Sequence, residues 1–122
     1  MKHLYLVILS LFLLACASAT PVLNQSARPV DREALSEFWI AQDAEINASF
    51  KAAPPSSPAQ VTLKVLIDSE GNTFPLEVLK SSHPGEMDKF ARRVAKQMKF
   101  APSDSNPERI PVETTLVIDY AP

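Results

Sequence analysis

The side chains able to do covalent or metal chemistry are few. The 122-residue chain holds two histidines, His3 and His83, and one cysteine, Cys16. A zinc site needs three or four such ligands brought together, and that set does not exist here. Ser81, Ser82 and His83 stand side by side. A nucleophilic serine needs a base converging on it and an acid that orients the base, and adjacency along the chain supplies neither. A small-hydrolase reading would rest on His83 alone. The two glycines, Gly71 and Gly85, leave no phosphate-cradling loop, and no Gly-x-Ser-x-Gly elbow is present. The residues predict no catalytic centre, no metal site and no cofactor. Acidic residues number 14 against 12 basic, a net charge of −2. Nucleic acid is disfavoured as a partner, because it selects a dominantly positive surface.

With covalent chemistry set aside, the elements decide what the chain can present. It begins MKHLYLVILSLFLLACASATPV. Lys2 precedes an apolar run from Leu4 to Ala15, with Ser10 its one polar member. Twelve residues are too few to span a bilayer, which takes about 20. The run suits the core of a secretory signal peptide covering residues 1–19. Two processing points compete. Ala17-Ser18-Ala19 would leave a mature chain from Thr20. Leu13 to Cys16 has the form of a bacterial lipobox, which would leave Cys16 lipidated at the new N-terminus. If cleavage follows Ala19, no cysteine remains, so an exported domain must hold itself by its core alone.

Residues 20–60 read as a leader, a helix over 31–50 and a Pro-rich connection. In DREALSEFWIAQDAEINASF, Leu35, Phe38, Trp39, Gln42 and Ile46 recur at three- and four-residue spacing. Asp31 is placed to cap that helix, and Glu33 suits its positive end. Pro54, Pro55 and Pro58 end it. Then Val61, Leu63, Val65 and Ile67 share one face and Thr62, Lys64, Leu66 and Asp68 the other, the period of a half-buried strand. Gly71 and Asn72 supply a turn. A second strand follows from Thr73, with Phe74, Leu76 and Val78 expected inward and Pro75 marking an edge or a bulge.

From Met87 the period changes. Met87, Phe90, Ala91, Val94 and Met98 make one apolar helix face, stopped by Pro102. Lys89, Arg92, Arg93, Lys96 and Lys99 lie opposite, a solvated face or a weak attraction for an acidic partner. Finally Ile110, Val112, Thr114, Leu116, Ile118 and Tyr120 alternate in a long strand. The expected fold is α+β. It is a small antiparallel sheet of about three strands, covered by one amphipathic helix and preceded by the extra N-terminal helix.

The stretch VLIDSEGNTFPLEVLKSS, then MDKFARRVAKQMKFAP, then IPVETTLVIDY resembles the C-terminal domain of the TonB family over Val61 to Tyr120. Asp68 and Gly71 at the hairpin, the Ser81-Ser82 pair, Asp88, and Phe100 with Pro102 fit its pattern. Met98 stands where many members carry tryptophan. Family transducers also carry an uncleaved membrane helix and a long Pro-rich spacer, so the resemblance implies the binding module without the engine.

That module would not be an enzyme. It would act in the periplasm, linked to TonB-dependent transport across the outer membrane. Its partner would be the extended N-terminal segment of an outer-membrane transporter, added as a strand to the sheet. The pairing edge carries over to Val112, Glu113, Thr114, Thr115, Leu116, Val117 and Ile118. The contacting loop carries over to His83, Pro84, Gly85 and Met87. The rival reading is a structural envelope lipoprotein anchored at Cys16, with no transport role.

Overall fold

The computed structural model describes residues 20–122; the signal-peptide and Cys16 expectations fall on residues outside it. Six strands and one α-helix follow in chain order: β1 (Arg28–Pro29), a 3-10 helix (Arg32–Glu37), β2 (Trp39–Ala41), β3 (Ala59–Ile67), β4 (Thr73–Ser81), α1 (Glu86–Gln97), β5 (Phe100–Pro102) and β6 (Val112–Tyr120). The main sheet has the order β1-β6-β3-β4, and β2 pairs with β5 in a second, two-stranded sheet. β1 runs parallel to β6, while β3 is antiparallel to both its neighbours.

The inward positions of β3 are realised, with Val61, Leu63, Val65 and Ile67 all completely buried, but Leu66 and Asp68 of the other face are buried too. Beside them in the sheet are Val112, Leu116 and Ile118 of β6, and Met87, Ala91 and Ala95 of α1 join the same core. The two alanines are small enough to let the helix lie close on the sheet. Phe90, Val94 and Met98 flank this contact, partly buried.

The expectation of a three-stranded sheet with an N-terminal helix over 31–50 is corrected. The sheet is mixed and four-stranded, and the segment makes only the short 3-10 helix before Trp39 turns away to pair with Pro102. The Asp31 side chain makes no cap hydrogen bond. Short helices are marginal unless tertiary packing rewards them. Here the packing rewards another path. Leu35 and Trp39 are buried anchors, the Trp39 indole N–H donates to the Ile110 carbonyl at 2.8 Å, and the strand contact with Phe100–Pro102 takes the backbone that follows. Ile46, expected on the apolar stripe, is 40% exposed.

β4 departs from simple alternation. Its pairing with β3 shifts at Thr62/Leu63 and again at Lys64/Val65, which leaves Leu79 and Leu76 as the extra residues of two bulges. Both leucines are exposed. Phe74 pairs with Leu66 on the face away from the helix, so only Val78 of the three expected inward residues packs on the core.

Candidate functional site

The two outer edges of the main sheet are unequal. β4 is bulged twice and carries Pro75, features that blunt an edge against further pairing. β6 is regular over its nine residues. On one side β3 accompanies it throughout, from Ala59 opposite Tyr120 to Ile67 opposite Val112. On the other side β1 covers only Val112 and Glu113.

The hydrogen bonds to β1 fix which backbone groups face that outer side. The Arg28 amide donates to the Pro111 carbonyl and the Val30 amide to the Glu113 carbonyl, each at 2.9 Å. Along a strand the N–H and C=O of one residue point to the same side, and neighbours alternate. The groups of Glu113 therefore aim away from β3, and so do those of Thr115, Val117 and Asp119. Among the described residues no strand pairs with the outer side of β6, away from β3, from Thr115 to Asp119. The stretch is bounded by Val30 at one end. At the other, the Phe50 ring meets Tyr120 edge-on, with centroids 5.0 Å apart.

The side chains sort by the same parity. Val112, Thr114, Leu116 and Ile118 are buried in the core, and only their β3-facing backbone is shared with a neighbour. Glu113, Thr115 and Val117 are half-buried on the opposite face. There a groove of about 530 Å³ crosses the face of the sheet, lined by Val30, Lys64, Glu77, Leu79, Glu113 and Thr115. Lys64 and Glu113 form an ion pair at 3.5 Å across it, both partly exposed.

The other sequence-nominated segment is the loop before α1. Pro84 and Gly85 are exposed, and His83 is half-buried. The His83 ring lies between two hydroxyls, Ser57 Oγ 3.1 Å from Nε2 and Ser82 Oγ 2.8 Å from Nδ1. Neither ring nitrogen faces a carboxylate, so the acid–histidine–serine order is not assembled. Met87 is 1% exposed and packs in the core, out of reach of any surface ligand. A hollow of about 370 Å³ joins Ser82, Gln60 and Asp119 without including His83, Pro84, Gly85 or Met87, and the Gln60 side-chain Nε2 donates to the Asp119 carboxylate at 2.9 Å.

The model of the family "Gram-negative bacterial TonB protein C-terminal" matches residues 57–122, more than half of the chain. The chain belongs to this family. None of the curated proteins and none of the solved structures compared with it matches. The TonB C-terminal domain is a periplasmic, non-catalytic protein-interaction module of Gram-negative bacteria, whose partners include outer-membrane transporters.

The geometry gives physical reasons for the family's markers in this chain. Asp68 is fully buried and holds the hairpin turn, its Oδ1 accepting the Glu70 and Asn72 amides at 3.0 and 2.9 Å. Its Oδ2 accepts the Val22 amide at 3.0 Å, which ties the leader to the turn. Gly71 has φ 81°, and a Cβ there would lie 1.9 Å from the Phe100 carbonyl oxygen. The Ser81 hydroxyl donates to the Asp88 carboxylate, joining the end of β4 to the first turn of α1.

Sequence reasoning missed β1, Asp119 and the groove. Two paired residues carry no period, and the groove is assembled from four strands. Asp119, by contrast, was within reach: it continues the alternation of Glu113, Thr115 and Val117.

Proposed function

We propose that this TonB-family module binds an extended peptide by adding it as a strand to the outer edge of β6. The observation that carries the reading is the row of outward backbone groups at Thr115, Val117 and Asp119, on the one regular edge of the sheet. Main-chain pairing supplies affinity, and alternate guest side chains entering the groove beside Thr115, Lys64 and Glu113 supply selectivity. The proposed guest is the N-terminal periplasmic segment of an outer-membrane transporter, reached by export of the chain across the inner membrane.

Proline removes a backbone donor, so Thr115→Pro and Val117→Pro test the edge where the side chains lie outside the core. Each is expected to stay folded and to lose about tenfold or more in affinity, since one or two hydrogen bonds contribute roughly 1 kcal/mol each. Thr115→Val keeps the N–H and is expected to bind as the wild type does. Binding is read by titrating synthetic transporter N-terminal peptides. Folded proline variants with wild-type affinity would remove the edge from the account. Glu113→Pro is a separate case, because Glu113 already belongs to the β1 pairing.

A further inference from the structure

Between β2 and β3 the chain runs without regular secondary structure, yet its middle is closely held by α1. The Asn47 amide donates to Gln97 Oε1 at 2.7 Å, and Gln97 Nε2 donates back to the Asn47 carbonyl at 2.9 Å. Arg93 donates to the Ser49 carbonyl at 2.7 Å, and the Lys51 amide donates to Glu86 at 3.3 Å. Glu86, Arg93 and Gln97 are spaced by seven and four, one stripe along the helix. Asn47, Ser49 and Lys51 are alternate residues, one edge of an extended segment. Helix side chains thus do for this segment what a neighbouring strand would do. Between these contacts Phe50 stacks on Phe90, with centroids 4.1 Å apart and planes at 9°, and meets Tyr120 of β6 edge-on.

Three features distinguish this contact from ordinary core packing. The segment is exposed almost throughout, with Phe50 as its anchor. Its backbone is read by surface side chains, the class of contact that opens locally without global unfolding. And the present occupant leaves one donor unused, since Arg93 Nε is buried without a hydrogen-bond partner among the described residues. Charge adds a preference. Gln42 is fixed by its amide to the Lys99 carbonyl and Asn47 is fixed at Gln97, so Asp43 and Glu45 lie at the helix end that carries Lys96 and Lys99.

We propose that the groove between α1 and the end of β6 is a second peptide-binding site, closed in this structure by residues 47–51 of the chain itself. Its ligand in trans is an extended segment of another protein, with an aromatic residue for the Phe90–Tyr120 slot and acidic residues on its N-terminal side. The site is independent of strand addition, because it uses side chains of α1 rather than the free backbone of β6.

The test uses the exported chain and a labelled synthetic peptide of residues 42–52, QDAEINASFKA. Phe50→Ala in the protein vacates the slot. That variant is expected to bind the peptide at least tenfold more tightly than the wild type, more weakly as salt rises. Binding is expected to be lost when the phenylalanine of the peptide is replaced by alanine, or when Gln97→Ala is added to the protein. In the wild type, the Asn47 and Lys51 amides are expected to exchange with solvent orders of magnitude faster than those of β3. A folded Phe50→Ala protein that ignores the peptide, or binds the alanine peptide equally well, overturns the proposal. So does a Phe50→Ala protein that cannot fold, or Asn47 and Lys51 amides that exchange only when those of β3 do, because the segment is then a fixed part of the fold.

Discussion

At the scale of single residues, the two glycines separate conformation from contact. Gly71 and Gly85 both have positive φ, 81° and 103°, but only Gly71 has a neighbour in the way, the Phe100 carbonyl. Gly85→Ala is expected to cost about 1–2 kcal/mol of backbone strain. Gly71→Ala adds displacement of a backbone carbonyl at the β5 contact and is expected to cost about 3 kcal/mol or more, a drop in Tm of roughly 10 °C or greater. Thermal unfolding of the two variants checks this; equal melting temperatures would mean that the tip of the hairpin does not press on Phe100. The turn itself was legible, since Asp68, Gly71 and Asn72 are turn residues by type. What the turn touches was not, because Val22 and Phe100 reach it from distant parts of the chain. Met87 was legible twice and inconsistently. Its spacing put it on the apolar helix face, and the family pattern put it in the contacting loop. Burial decides for the spacing.

Elements were legible in proportion to their length. β3, β6 and α1 each run long enough for a period of 2 or 3.6 to repeat. β1, β2 and β5 have two or three residues each and exist only because a partner strand accepts them. The spacing across 31–50 misled for the same reason: Leu35 and Trp39 are true anchors four residues apart, and two anchors do not make a long helix. In β4 two bulges shifted the alternation, with Pro75 the only local warning. For α1 the faces can be tested directly. Ala91 is fully buried and Lys89 is exposed. Ala91→Asp buries an unpaired carboxylate at a cost of several kcal/mol, comparable with the whole stability of a small domain. Lys89→Asp is expected to change stability by no more than about 0.5 kcal/mol. Denaturant unfolding of both measures the contrast, and similar midpoints would show the helix rotated from the orientation described. Arg93, expected on the solvated face of the helix, is instead tied to Ser49 and Glu86.

At the scale of the whole molecule, the segment before β3 frames the outer edge of β6. Val30 closes one end of the open stretch of β6 and Phe50 the other, while the 3-10 helix and β2 carry the chain between them. In the proposed strand addition, the interval from Thr115 to Asp119 is the length of edge left open to a guest in this conformation. The sequence showed a long alternating strand, and the family resemblance implied a pairing edge there. It did not show that the chain itself occupies the first rungs of that edge. The most direct measurement is amide hydrogen exchange, residue by residue, with and without a bound transporter N-terminal peptide. Protection is expected to rise at Thr115, Val117 and Asp119, whose N–H groups face outward. The amides of Thr114, Leu116 and Ile118, already shared with β3, are expected to stay as they were. A peptide that binds while the three outward amides exchange unchanged would contradict strand addition at β6.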